Sequence, residues 1–167
     1  SRRVQAKAQG DGRRELDTAQ ELVRGLPPSE VHAEVLANVA NWAMVHEPGP
    51  DALSAAERAV EYARMVGARE IEMTARLTLG GLMVQAGGIE AGLAEMYEVN
   101  KRTVADGIAA VAARSYVNLP SALESVGRSR EAVPLLEEGI AFTRRFGLLG
   151  SEAWVWVLVS RHPDNII

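Results

Sequence analysis

Apolar and small residues return along this chain at three- and four-residue steps, and prolines and glycines interrupt the steps at nearly even distances. Between Arg13 and Leu26 the set Leu16, Ala19, Leu22, Val23 and Leu26 forms one apolar helix face, which Pro27 and Pro28 stop. Ser29 is the expected N-cap of a helix running to about His46, with Val31, Val35, Leu36, Val39, Trp42, Ala43 and Val45 as its buried side. Glu47-Pro48-Gly49-Pro50 breaks the pattern. Asp51 is then the expected cap of a partner helix that turns Leu53, Ala56, Ala59, Val60 and Ala63 inward, up to a stop at Gly67. The same reading predicts helices over about 70–86, 89–106, 109–126 and 129–146, and a last one opening near Ser151. Short loops make the members of each pair antiparallel neighbours. Residues 1–10 read as the tail of one helix, ended by a turn at Gln9-Gly10-Asp11-Gly12.

A shift of forty residues lays the pattern over itself. Gly67, Gly107 and Gly147 coincide, as do Ala52, Gly92 and Ala132; Leu53, Leu93 and Val133; Ala56, Met96 and Leu136. Val39, Leu79 and Leu119 continue the match in the other helix, followed by the small or special residues Ala40, Gly80 and Pro120. Such a period marks stacked hairpins, each unable to bury its apolar face alone. The expected fold is therefore all-α, a right-handed superhelix of antiparallel hairpins. It spans 1–167 as one repeat domain, with a partial unit over 1–28, units over about 29–68, 69–108 and 109–148, and a partial unit over 149–167. Because the chain starts inside a unit, a fragment of a longer protein or a degenerate cap is expected. Pro120 falls within a helix and should kink or split it, at a cost of about 3 kcal/mol.

Composition narrows the class. Hydrophobic residues make up 47% and aromatics 5%, so the apolar content is mostly Ala, Val and Leu, suited to close helix packing. A formal charge of −4, without a basic run, gives no electrostatic footprint for nucleic acid. The absence of cysteine excludes disulfides, thiolate metal sites and cysteine nucleophiles. No window has the roughly 18 apolar residues of a membrane span, and a cytoplasmic location is expected.

Motifs for catalysis are missing. Gly80-Gly81, Gly87-Gly88 and Gly92 are not followed by Gly-Lys-Ser or Gly-Lys-Thr, so helix approach and helix stops explain them better than a phosphate loop. His32, His46 and His162 have no ligand spacing, and no cofactor or metal is expected. Glu57, Glu61, Glu95, Glu98, Glu137 and Glu138 read as solvated outer faces of second helices. No enzyme activity is expected. Polar residues on the first helices are more informative: Asn38, Thr78 and Asn118 lie forty apart, with Thr74 and Arg114 one turn earlier and Asn41 and Ser121 about a turn later. On one concave face these seven would form a groove for a protein or peptide partner or a small-molecule inducer; solvated helix surface is the competing reading. Trp154 and Trp156 suggest an apolar end, read first as an edge exposed by truncation of the array and second as an interface through which copies of the chain associate.

The small residues at 40, 80 and 120, with Ala or Gly at 52, 92 and 132, resemble the tetratricopeptide repeat, although the unit is longer than its usual ~34 residues. The stretches Tyr116-Val117-Asn118-Leu119, Ala122-Leu123-Glu124, Gly127-Arg128-Ser129-Arg130-Glu131-Ala132-Val133, Glu137-Glu138-Gly139 and Arg144-Arg145-Phe146-Gly147-Leu148 are similar to the helical-repeat region of bacterial LuxR-type regulators of the large ATP-binding, MalT-like class. The resemblance implies a segment that senses an inducer or partner, while an ATPase and a helix-turn-helix elsewhere in the protein do the chemistry and read DNA. Neither a P-loop nor a helix-turn-helix is recognisable in these residues. The alternative is a structural scaffold or oligomerisation module of a signalling ATPase, with no ligand of its own.

Overall fold

The structure, a computed structural model, describes the backbone of residues 2–148 and the side chains of 10–148. Among these residues the fold is all-α: α1 (Arg2–Val23), α2 (Glu30–His46), α3 (Pro50–Met65), α4 (Arg69–Gln85), α5 (Ile89–Ala105), α6 (Ala109–Ser125) and α7 (Ser129–Arg145). They pack antiparallel, mostly on their sequence neighbours. Two compact units divide the chain, the first ending at Leu82 and the second beginning at Met83.

One device ends every helix from α3 to α7. Gly67, Gly87, Gly107, Gly127 and Gly147 all have φ between 66° and 93°, a region where a side chain is strained. At the first of them the Gly67 N–H donates to the Arg64 carbonyl (3.2 Å) and the Ala68 N–H to that of Ala63 (2.9 Å). The other four repeat this pair of bonds, the last with Gly147 on Arg144 and Leu148 on Thr143. This is the Schellman stop, which satisfies carbonyls that the helix leaves unpaired. The structural step is thus twenty residues, and the sequence period of forty is two of them.

In the first unit α2 presents Ala33, Ala37 and Ala40, each at most 3% exposed, at one-turn spacing. Ala37 and Ala40 pack with Ala52, Ala56, Ala59 and Val60 of α3 and with Ala75 and Leu82 of α4; Ala33 packs with Ala63 and Ala68. Methyl groups let the helix axes approach closely. Val31 and Val45, expected to be buried, are 63% and 62% exposed, because they lie away from the alanine stripe that α2 turns inward. Ser29 caps α2 as expected, its Oγ accepting from the His32 N–H at 3.3 Å. For α3 the N-cap is Gly49, with Pro50 as first helical residue in place of the expected Asp51 cap. Pro has no N–H to leave unpaired there.

The second unit buries Leu93, Met96 and Val99 of α5, Val111, Tyr116, Leu119 and Leu123 of α6, and Leu136 and Ile140 of α7. Gly139 lets α7 approach α6: a Cβ there would lie 2.8 Å from Tyr116 Cβ. Arg128 forks onto Glu131 with two 2.7 Å bonds and reaches Glu90 of α5 at 2.9 Å. This network holds the Arg128 guanidinium more strongly protonated than usual and depresses the Glu131 carboxyl. Of the kink or split expected at Pro120, the split does not occur: α6 runs from Ala109 to Ser125 with Pro120 inside it.

A larger correction concerns α1, which continues through Gly10 and Gly12 where a turn was expected, and ends at Val23, before Pro27. Packing against α2 overrides the low helix propensity of these glycines. Among the described residues no helix is long and apolar enough to cross a membrane. Trp154, Trp156, His162, the last predicted helix and the partial unit over 149–167 lie outside the described residues.

Candidate functional site

The persistence of α1 through its glycines creates a cleft in the first unit. Gly12 carries no side chain, so the indole of Trp42 on α2 lies against its backbone: a Cβ at Gly12 would stand 3.4 Å from Trp42 Nε1. Trp42 and His46 are four residues apart on α2, and their rings meet at 4.7 Å between centroids. Around them opens a cavity of about 380 Å³, lined by Gly12, Glu15 and Leu16 of α1 and by Asn38, Asn41, Trp42, Val45 and His46 of α2. Arg13 stands beside it. Its guanidinium lies over the Trp42 ring, 5.4 Å from the centroid, and pairs with Asp17 at 3.1 Å and with Glu47 just beyond α2.

Side chains of this kind can hold a polar ligand. An aromatic face, a carboxylate on the wall and two carboxamides supply stacking, ion pairing and hydrogen bonds. Glu15, Asn38 and Asn41 make no side-chain hydrogen bond or ion pair with the described residues. No group of three or more His, Cys, Asp or Glu residues that could hold a metal occurs among the described residues. A second cavity of about 290 Å³ lies between α2 and α3, over Leu36, Arg58, Glu61, Tyr62 and Met65. There the Tyr62 hydroxyl meets His32 Nδ1 at 3.0 Å.

Of the seven residues predicted to line a groove, Asn38 and Asn41 enter the first cavity together. Thr74 is half-buried on α4. Thr78 is 1% exposed, its hydroxyl donating to the Thr74 carbonyl at 3.3 Å, so it belongs to the core and offers no open surface. The reason is visible on α4, where Met73, Ala75, Leu77, Leu82 and Val84 are also buried: this helix is enclosed on more than one side, whereas α2 is buried along a single stripe. Positions forty apart therefore differ in exposure. On α6 Arg114, Asn118 and Ser121 are half-buried. Burial lowers the Arg114 pKa, and the guanidinium has no ion pair among the described residues. The Ser121 hydroxyl is turned to its own helix, donating to the Val117 carbonyl at 2.9 Å.

Sequence reasoning passed over Gly12, Arg13, Glu15 and Glu47, and took Trp42 for a core residue. A usable signal was present: Asn38, Asn41 and Trp42 share a face of α2, and an aromatic beside two amides is unusual for core. Comparison with protein-family models, with curated proteins and with solved structures finds no match.

Proposed function

We propose that this chain is a tetratricopeptide-like helical-repeat segment, stacked as a right-handed superhelix, that binds a peptide or small polar ligand without catalysis. The supporting observation is the α1–α2 cleft, where the amides of Asn38 and Asn41 converge with the Glu15 carboxylate and the Trp42 ring. The repeated helix stop at twenty-residue steps supports the superhelical reading, since identical turns set identical helix pairs. Placing the segment in a cytoplasmic transcriptional regulator, as its sensing part, rests on the sequence resemblance of stretches within residues 116–148 to the repeat region of LuxR-type, MalT-like regulators alone.

Screening arrayed peptides and a panel of small polar metabolites against the purified chain tests this reading. A selective ligand whose binding is lost in Asn38→Ala/Asn41→Ala, with the melting temperature retained, is the expected result. Absence of any ligand, or binding indifferent to that pair, would favour the scaffold reading. Burial of Thr78 and the self-satisfied hydroxyl of Ser121 already favour a scaffold role for that part of the predicted groove.

A further inference from the structure

Which ligand chemistry fits the cleft is written in the contacts of Arg13. A guanidinium is recognised by an aromatic face on its flat side and a carboxylate in its plane. Trp42 and Glu47 supply both, and the chain's own Arg13 occupies them, 5.4 Å from the indole centroid and ion-paired with Glu47. That hold is loose. The side chains of Arg13, Glu47 and Asp17 are 48%, 56% and 55% exposed, and ion pairs so open to water contribute little. On the cleft wall, the Glu15 carboxylate and the Asn38 and Asn41 amides have no partner among the described residues, and the lining includes no Lys or Arg. Its 380 Å³ suits a small ligand or a single inserted side chain.

We propose that the α1–α2 cleft binds a guanidinium-bearing ligand, and that Arg13 holds its place in the unliganded chain. The incoming guanidinium stacks on Trp42 and pairs with Glu47, while Glu15 and the two amides take the polar remainder. Arg13 swings out to solvent, keeping Asp17 as its partner one turn along α1. This rests on the reading of the cleft as a binding site. Two sources share the chemistry, a free guanidino compound and an arginine side chain of a peptide.

Titration of the ¹⁵N-labelled chain with agmatine, with acetyl-Gly-Arg-Gly-amide and with uncharged N-butylurea tests the proposal. The readouts are the Trp42 indole and the Asn38 and Asn41 amide resonances, assigned with W42F and N38A. Saturable shifts are expected with one or both guanidinium probes; agmatine alone points to a free small molecule, and a tighter tripeptide to a peptide. Glu47→Gln should weaken binding about tenfold with the backbone spectrum retained. Arg13→Ala should tighten it severalfold, since the internal competitor is gone, whereas a merely structural Arg13 would leave binding unchanged or weaker. Equal shifts with N-butylurea would overturn the cation assignment while leaving the cleft a binding site. Silence with all three probes would overturn both, and weaker binding in R13A would overturn the role of Arg13.

Discussion

Two junctions built on the same frame differ in their chemistry. Where α3 meets α4 in the first unit, Val60 and Ala75 share an apolar cluster. Forty residues on, where α5 meets α6 in the second unit, Asn100 and Ser115 take those positions, with Asn100 Nδ2 donating to Ser115 Oγ at 2.8 Å. Both pairs are buried, and the preceding helix ends in the same glycine stop in each case. The backbone frame is thus indifferent to whether the contact is oil or a hydrogen bond. The side chains alone decide how specific the pairing is, because a buried amide tolerates only a partner that satisfies it.

The strongest way to break this equivalence is to place one half of the polar pair in the apolar junction. Val60→Asn removes a buried aliphatic side chain and leaves an amide without a partner, for an expected loss of about 3–4 kcal/mol in urea unfolding. Adding Ala75→Ser should recover about 1 kcal/mol if the two frames are alike. Failure to recover would show that positions forty apart do not superpose at side-chain precision.

The converse change acts on the second unit. Ser115→Ala deprives buried Asn100 of its acceptor and should cost about 1–3 kcal/mol. Asn100→Val/Ser115→Ala, which imports the apolar pair, should return stability to within about 1 kcal/mol of the parent, since replacing both partners can be nearly neutral. A double variant as unstable as the single would mean that the amide contributes more than this bond.

Changing the shared frame is expected to cost less. Gly67→Ala and Gly107→Ala each force a side chain into positive φ, where nothing else crowds the added Cβ, and each should lose about 1 kcal/mol. Equal losses at the two sites would confirm a common stop, and unequal ones would mean that the neighbouring pairs contribute to it.

The same contrast explains what could be read in advance. The helices from α2 to α7 are legible to within a residue or so because their stops are local: the Glu47-Pro48-Gly49-Pro50 break after α2 and a glycine at a fixed step after each later helix can be seen without knowing what the helix touches. The course of α1 was not legible, because Gly10 and Gly12 are poor helix residues held by packing against α2, and packing is long-range. The site followed the fold. Asn38 and Asn41 were visible as polar positions on a helix face, but the cleft they enter exists only because α1 continues past Gly12 and lies along Trp42. Thr78 was misplaced for the related reason that a period fixes position, whereas exposure depends on how many neighbours a helix has.

A final difference between the junctions shows only at alkaline pH. Beside Asn100, α6 carries Tyr116, whose counterpart forty residues earlier on α4 is Arg76. Burial raises the Tyr116 pKa, Glu138 adds to the rise, and hydrogen bonding from Asn100 partly opposes it. The folded chain therefore retains the phenolic proton to higher pH than the unfolded one. With the folded pKa above the unfolded value of about 10, the contribution is intact below that pH and is lost as pH rises through the folded pKa. Tyr116→Phe should accordingly match the parent's pH dependence up to about pH 9 and lose stability less steeply above pH 10, measured by urea unfolding at paired pH values. Identical alkaline slopes in the two proteins would mean that the Tyr116 hydroxyl is as well solvated in the folded chain as in the unfolded one, and the polar junction would then reach no further than Asn100 and Ser115.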